Sequence, residues 1–210
     1  GIVYGVAFNG EQLAVFERKE PGDDIEGFRG SKYVGSLMGD IYLKVQDDLK
    51  SGRNVLFIGM GCQIAGLLNF LAAKYDNLIT VDIFCHGMPS HLYFKEYIAE
   101  MEKNRKSAVQ DISFRENNIF RLRCVFPESA YEWRAKYDRY YAGYTSMLFY
   151  RDSCYTCRYA GTERCADITI GDFWGYRNDK RLAPGELGIS MILLNTKKGT
   201  EFFKSVKGQI

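Results

Sequence analysis

Two hydrophobic periods alternate along the first half of the chain. Ile2 to Phe8 and Leu13 to Glu17 are rich in apolar and β-branched residues and flank Asn9-Gly10, so they predict a β-hairpin with Asn-Gly as its turn. Pro21 to Gly30 is polar and predicts a loop. From Val34 to Lys50 the spacing becomes helical, with Leu37, Ile41, Val45 and Leu49 on one face and Gly52 just beyond. Val55 to Ile58 is a short apolar run that predicts a buried strand. Cys62 to Tyr75 predicts an apolar helix, Leu78 to Cys85 a second buried strand, and Pro89 to Lys106 a helix with a mixed-charge face. This β-α-β-α order makes the two buried strands parallel neighbours.

After residue 108 the pattern changes. Val109 to Arg115, Ile119 to Phe126 and Tyr131 to Tyr137 read as an antiparallel meander, and Arg139 to Tyr150 as a helix. A cysteine-bearing loop follows, then strands at Asp167 to Gly171 and Ile189 to Asn195, then a helix from Lys198. The expected fold class is mixed α/β (α+β). A parallel β-α-β portion (1–107) is followed by an antiparallel portion (108–210), and the two join around a cysteine-rich site in a single catalytic-type domain. No internal repeat or low-complexity segment interrupts it.

Composition narrows the function classes. With 210 residues, 46% hydrophobic and 15% aromatic, the chain has enough apolar surface for a packed core. Its net charge of +2 argues against binding a nucleic-acid backbone. Trp133, Tyr137, Tyr140, Tyr141 and Tyr144 interleave with Arg134, Lys136 and Arg139, as in single-strand binders. Glu132 and Asp138 within the same stretch favour a core role instead. No apolar run approaches the roughly 20 residues that span a bilayer. The chain opens on Gly1-Ile2-Val3 and stops at Gly208-Gln209-Ile210, the expectation for a piece of a longer protein.

Six cysteines are too few for a disulfide scaffold, and their contexts favour reduced thiols and a cytoplasmic setting. Cys124 alternates with Phe120, Leu122 and Phe126 and is expected in the core. Cys62, Cys85, Cys154 and Cys157 stand at strand ends and turns, where thiolates can converge on a metal or cluster. Cys62 follows Gly59-Met60-Gly61 at a strand-to-helix turn, where a helix N-terminus lowers a thiol's pKa. The same turn is an imperfect dinucleotide fingerprint: Ile64 stands at its third glycine, Gly66 comes two positions late, and Asp82 would take the ribose. Arg151, Arg158 and Arg164 surround Cys154-x-x-Cys157, and Cys165 is an alternative ligand. A structural zinc or a redox disulfide is the competing account of that pair, although a thioredoxin-type pair would lie early in a βαβ unit.

Three further features invite a cofactor. His86 directly follows Cys85 and is either a contact to the same site or a structural residue. Arg29-Gly30-Ser31-Lys32-Tyr33 precedes the predicted helix and is either an anion site or a solvated loop capped by Ser31. Gly171-Asp172 ends a strand and leads into Phe173-Trp174.

With these residues in view, the chain resembles the beta-subunit family of coenzyme F420 hydrogenases and dehydrogenases. Gly59-Met-Gly-Cys-Gln-Ile-Ala-Gly-Leu67 is similar to that family's Gly-Thr-Pro-Cys-Gln turn. Phe84-Cys-His-Gly-Met-Pro-Ser90 is similar to its Cys-His-Gly-Val-Pro-Ser variant. Cys154-Tyr-Thr-Cys157 through Asp167-Ile-Thr-Ile-Gly-Asp-Phe-Trp-Gly175 is similar to its cluster loop and following strand, and Phe28 to Val34 is a softer match. The resemblance implies an oxidoreductase using FAD and a [4Fe-4S] cluster. Its electron partner would be a ferredoxin-like segment or protein, and its small-molecule hydride donor or acceptor would be F420-like or unknown. It implies Cys62, Cys85, Cys154 and Cys157 as cluster ligands. For the flavin it implies Arg29, Ser31, Lys32, Gly59, Gly61, Gln63, His86, Gly171 and Asp172. Met60 and Gly61 depart from the family's Thr and Pro. Two other readings stand beside this one: a zinc-stapled module that docks a partner protein, and an NAD(P)-dependent oxidoreductase using the Gly59 to Gly66 turn.

Overall fold

The computed structural model describes residues 1–116, 119–175 and 188–209. The hairpin forms as expected from β1 (Ile2–Phe8) and β2 (Ala14–Lys19), with Phe8 opposite Ala14. Its turn is not the two-residue Asn-Gly type. Asn9 Oδ1 accepts from the backbone N–H of Glu11 and of Leu13, at 3.0 and 2.9 Å, and the residue with positive φ is Gln12, at 58°. An asparagine closing on its own backbone replaces the glycine turn.

β1 pairs in parallel with β3 (Val55–Met60), β3 with β4 (Leu78–Ile83), and β4 with β8 (Ile168–Asp172). β9 (Ser190–Leu194) lies antiparallel to β8, which completes a six-stranded sheet of order β2-β1-β3-β4-β8-β9. β5 (Asp111–Glu116), β6 (Ile119–Phe126) and β7 (Ser129–Arg134) form the predicted meander as a separate antiparallel sheet. The mixed α/β class therefore holds, and the chain returns from the meander to the first sheet at β8.

Two cores result. Ile41, Val45 and Leu49 of α1 (Ile41–Lys50) and Ile64, Leu67 and Leu71 of α2 (Gly61–Leu71) pack on Ile2, Tyr4 and Phe57 of the large sheet. The second core joins α3 (His91–Arg105) and α4 (Arg139–Thr145) to the small sheet through Phe94, Ile98, Phe114, Leu122, Tyr140 and Tyr141. Cys124 is fully buried there, as its alternation predicted. Among the described residues no helix, including α6 (Lys197–Val206), is long and apolar enough to cross a membrane.

Three predicted helices are shorter than their periodicity, and one of them, α2, ends at Leu71 ahead of Ala72 at φ 50° rather than at Tyr75. α1 begins at Ile41, not Val34. Leu37 instead bridges the hairpin: its N–H donates to Ala14 O at 2.8 Å and its carbonyl accepts from Phe16 N–H at 3.2 Å. Gly35 lies so close to the β4–α3 loop that a Cβ would stand 2.7 Å from Pro89 O, and Gly39 has φ 51°. Long-range pairing thus overrides the local helical period. α4 ends at Thr145, ahead of Met147 at φ 58°, rather than reaching Tyr150.

Asp138 holds the second core together. It is fully buried and caps α4, with Oδ1 accepting from Tyr141 N–H at 2.7 Å, while Oδ2 accepts from the hydroxyls of Tyr131, at 2.8 Å, and Tyr97. Replacing it with alanine removes an N-cap and strands two tyrosine hydroxyls, a cost of about 3 kcal/mol. Urea unfolding of Asp138→Ala should show a lowered midpoint with an unchanged slope.

Candidate metal centre

The parallel central strands β3 and β4 end on the same side of the large sheet, and the cysteine-bearing segments approach one another beyond those ends. β3 runs into α2 without a loop, so Cys62 is the second residue of the helix and is exposed. Gln63 closes the helix start. Its Oε1 accepts from Met60 N–H at 3.0 Å, and its Nε2 donates to Ser36 Oγ at 2.9 Å and reaches Met38 Sδ at 3.2 Å. Gln63 is therefore buried and committed to its own chain. Gly59 and Gly61 serve close packing. A Cβ on Gly59 would lie 3.2 Å from Gln63 Oε1. One on Gly61 would lie 3.0 Å from Tyr159 Cβ, 3.1 Å from Asp82 Oδ2 and 3.2 Å from Arg164 Nη2.

Cys85 follows β4 and is exposed, with its Sγ 3.6 Å from Met60 Sδ. Behind it, Gly87 has φ 143°, and a Cβ there would fall 2.0 Å from the Tyr150 ring. Only glycine fits that conformation at that approach. His86 Nδ1 shares a hydrogen bond with Tyr150 OH, Pro89 forms an antiparallel bridge with Tyr150, and Arg151 N–H donates to Met88 O at 3.1 Å. The Cys85 loop is thereby laced to the segment entering the one-turn helix α5 (Asp152–Tyr155), which carries Cys154 and leads to Cys157. His86 takes the structural partner that its second reading allowed.

The thiols interact electrostatically. Burial raises the Cys62 pKa, and Cys157 and Cys154 raise it further, while the N–H groups of Cys62 and Gln63 act in the opposite direction. The expected lowering at the helix N-terminus is therefore reversed, because the first-turn donors are outweighed by desolvation and by repulsion among neighbouring thiolates. Burial pushes Cys85 up to about 11, the Gly87 N–H opposes this, and Cys62, Cys154 and Cys157 add to the rise. Cys165 Sγ lies 3.5 Å from Gly61 O, directly before Cys62, and burial and then Asp82 raise its pKa, with Cys62 adding to the rise. Among the described residues no three His, Cys, Asp or Glu side chains stand close enough to hold a single metal ion.

Several of the other expected contacts are engaged within the chain. Asp82 is fully buried. Its Oδ2 accepts from Arg164 Nε at 2.9 Å and Nη2 at 2.5 Å, so it is not available to a ribose. The nicotinamide reading loses its acidic residue on that ground. Asp172 pairs with Arg115 at 2.5 Å, tying β8 to the small sheet, and a Cβ on Gly171 would lie 3.0 Å from Phe84. Arg29 is exposed and pairs with Glu26 at 3.1 Å. Ser31 and Lys32 are half-buried in a loop rather than at a helix N-terminus, since α1 begins at Ile41. Lys32 Nζ donates to the carbonyls of Arg29 and Gly30, at 3.0 and 3.3 Å, and burial pushes its pKa down to about 8. The Asp82–Arg164 pair has no counterpart in the sequence-based expectations. Its one signal there is a carboxylate inside an apolar strand, which demands a buried partner.

The fold is an open mixed α/β domain whose cysteine-bearing segments approach one another beyond the C-terminal ends of β3 and β4. Residues 52–210 match the family model for the C-terminal part of the coenzyme F420 hydrogenase/dehydrogenase beta subunit, and the chain belongs to that family of oxidoreductase subunits. Nine chains of solved structures match it. One comes from the F420-reducing [NiFe] hydrogenase complex of Methanosarcina barkeri, with a TM-score of 0.59 at 16% identity over 99% of this chain and 67% of that chain. At that identity the likeness is one of fold. No curated protein matches the sequence.

Lys32 yields a pH prediction. Its folded pKa of about 8 lies below the ordinary 10.5. The unfolded chain therefore binds more protons between those values, and stability rises with pH across that window. The burial cost is complete below pH 8 and gone above pH 10.5. Lys32→Met should be more stable than wild type at pH 7, with the difference shrinking as urea midpoints are measured toward pH 10.5.

Proposed function

We propose that this chain is the electron-passing part of an F420 hydrogenase/dehydrogenase-type oxidoreductase, with a [4Fe-4S] cluster on Cys62, Cys85, Cys154 and Cys157 and FAD beside it. The observation that carries the reading is the lacing of the cysteine-bearing segments: the Pro89–Tyr150 bridge and the Arg151 N–H to Met88 O hydrogen bond tie the Cys85 loop to the segment carrying Cys154 and Cys157, and Cys85 Sγ lies 3.6 Å from Met60 Sδ, two residues before Cys62. Cys62 and Cys85 each feel both Cys154 and Cys157, and Cys85 also feels Cys62. The donor set is all thiolate, which suits iron–sulfur clusters.

When bound, FAD would exchange a hydride with the organic substrate and the cluster would carry single electrons toward a ferredoxin-like segment or protein. The chain's own residues prepare the thiolates for that group. The N–H groups of Cys62 and Gln63 favour the charged form of the Cys62 sulfur, and that of Gly87 favours the charged form of Cys85. The exposed Arg151 and Arg158 flank the Cys154-x-x-Cys157 loop with positive charge. For the flavin, Gln63 and Asp172 are already engaged, so the expected set fits only in part. Lys32 supports it best, because a half-buried ammonium that donates only to two neutral carbonyls gains from an anion such as a pyrophosphate. His86 and Gly171 leave the same sheet edge as the place for the ring. A cytoplasmic, reducing setting accords with the free thiols.

Iron and sulfide analysis of the anaerobically reconstituted full-length protein tests this reading. About four irons per chain are expected. Serine at Cys62, Cys85, Cys154 or Cys157 should deplete them, and serine at Cys124 or Cys165 should not. Lys32→Glu should weaken FAD binding roughly tenfold with iron unchanged. Zinc without iron in the wild type would favour the docking-module reading, and unaltered FAD affinity in Lys32→Glu would remove the flavin assignment alone.

A further inference from the structure

We infer that Arg164, paired with Asp82, is the positioning residue of the whole centre, and that their two charges set the reduction potential of the cluster. The inference rests on the four-thiol reading above. Arg164 follows Cys157 by seven residues and is drawn inside the protein, with its side chain 2% exposed against a fully buried Asp82. One guanidinium touches the backbone neighbourhood of every ligand-bearing segment. On the β4 side it bonds Asp82, lies 3.5 Å from Ile83 O and stacks 5.1 Å above the Phe84 ring, directly before Cys85. On the loop side its Nη1 donates to the carbonyl oxygens of Tyr159 and Gly161, the latter at 3.3 Å, just after Cys157. On the α2 side its Nη2 lies 3.2 Å from where a Cβ on Gly61 would stand, directly before Cys62.

An apolar pair of similar volume would fill this space with less desolvation, so an ion pair here is weak evidence of stability. What the pair supplies is direction and charge. Five planar donors fix several carbonyls at once, which a lysine cannot reproduce. A cation near a thiolate-ligated cluster favours its reduced, more negative state, and a carboxylate favours its oxidised state. The intact pair nearly cancels, so removing either charge unbalances the site in opposite directions.

The geometry provides a conservative variant. Asp82 Oδ2 takes both Arg164 bonds, and the buried Oδ1 has no hydrogen-bond partner among the described residues. Asp82→Asn can keep an oxygen toward Arg164 and put its amide nitrogen in the free position. Redox titration of the reconstituted full-length protein, followed by visible absorbance, should show a raised midpoint potential in Asp82→Asn and a lowered one in Arg164→Gln. Arg164→Lys should keep a potential near wild type but lose part of the iron. Equal potentials in all four proteins, or shifts of the same sign in Asp82→Asn and Arg164→Gln, would overturn the inference. Should Arg164→Gln hold no iron, Arg164→Lys must hold more, and equal depletion in the two would overturn the positioning role. A wild type without iron overturns the four-thiol reading itself, a separate outcome from the rest.

Discussion

The segment from Arg151 to Ala166 carries two of the four thiols proposed as ligands, yet among its residues only α5 is regular structure, a single turn. Nothing local holds it against the sheet. Its entry is tied by the Arg151 N–H to Met88 O, and its far end is anchored by the buried guanidinium of Arg164, which reaches Asp82 across 82 residues of sequence and collects carbonyls from its own loop on the way. Gly61 makes the approach possible by having no side chain where Tyr159, Asp82 and Arg164 crowd together. The turn that resembles a nucleotide fingerprint is better explained as the floor onto which this loop docks.

That docking opposes electrostatics. Burial is the first cause of the raised pKa values of Cys62 and Cys85, and repulsion from neighbouring thiolates adds to it. The scaffold accepts this cost through contacts that do not involve sulfur. The Pro89–Tyr150 bridge, the Met88–Arg151 hydrogen bond, the Tyr150 ring on Gly87 and the Asp82–Arg164 pair bind the segments to one another at their backbones. The same logic separates the two groups of cysteines. Cys124 packs in a dry core built by strand alternation, whereas the other five are exposed or half-buried in loops and helix starts.

Much of this is legible in the sequence wherever the cause is local. Alternation marks β1, β3, β4 and the meander, and it places Cys124 inside. The motifs around Cys62, Cys85 and Cys154-x-x-Cys157 single out the four thiols proposed as ligands. What the sequence hides depends on partners distant in the chain. Leu37 fits a helical period but is captured by Ala14 and Phe16 of the hairpin, which moves the start of α1 and removes the helix N-terminus expected beside Lys32. The Cys62 pKa is expected to fall because a helix N-terminus is a local feature, and it rises because burial and two remote thiols act on it. Gln63 and Asp172 read as cofactor contacts because their intramolecular partners, Ser36 and Arg115, lie 27 and 57 residues away.

The central claim is that four thiols from three segments, set by the Asp82–Arg164 pair, hold one cluster. Anomalous diffraction at the iron edge from anaerobically grown crystals of the full-length protein tests it most directly. The account predicts a single four-iron density bonded to the Sγ atoms of Cys62, Cys85, Cys154 and Cys157, with Arg164 still closed on Asp82 beside it. A single zinc on Cys154 and Cys157, or a cluster that takes Cys165 in place of Cys85, would contradict it.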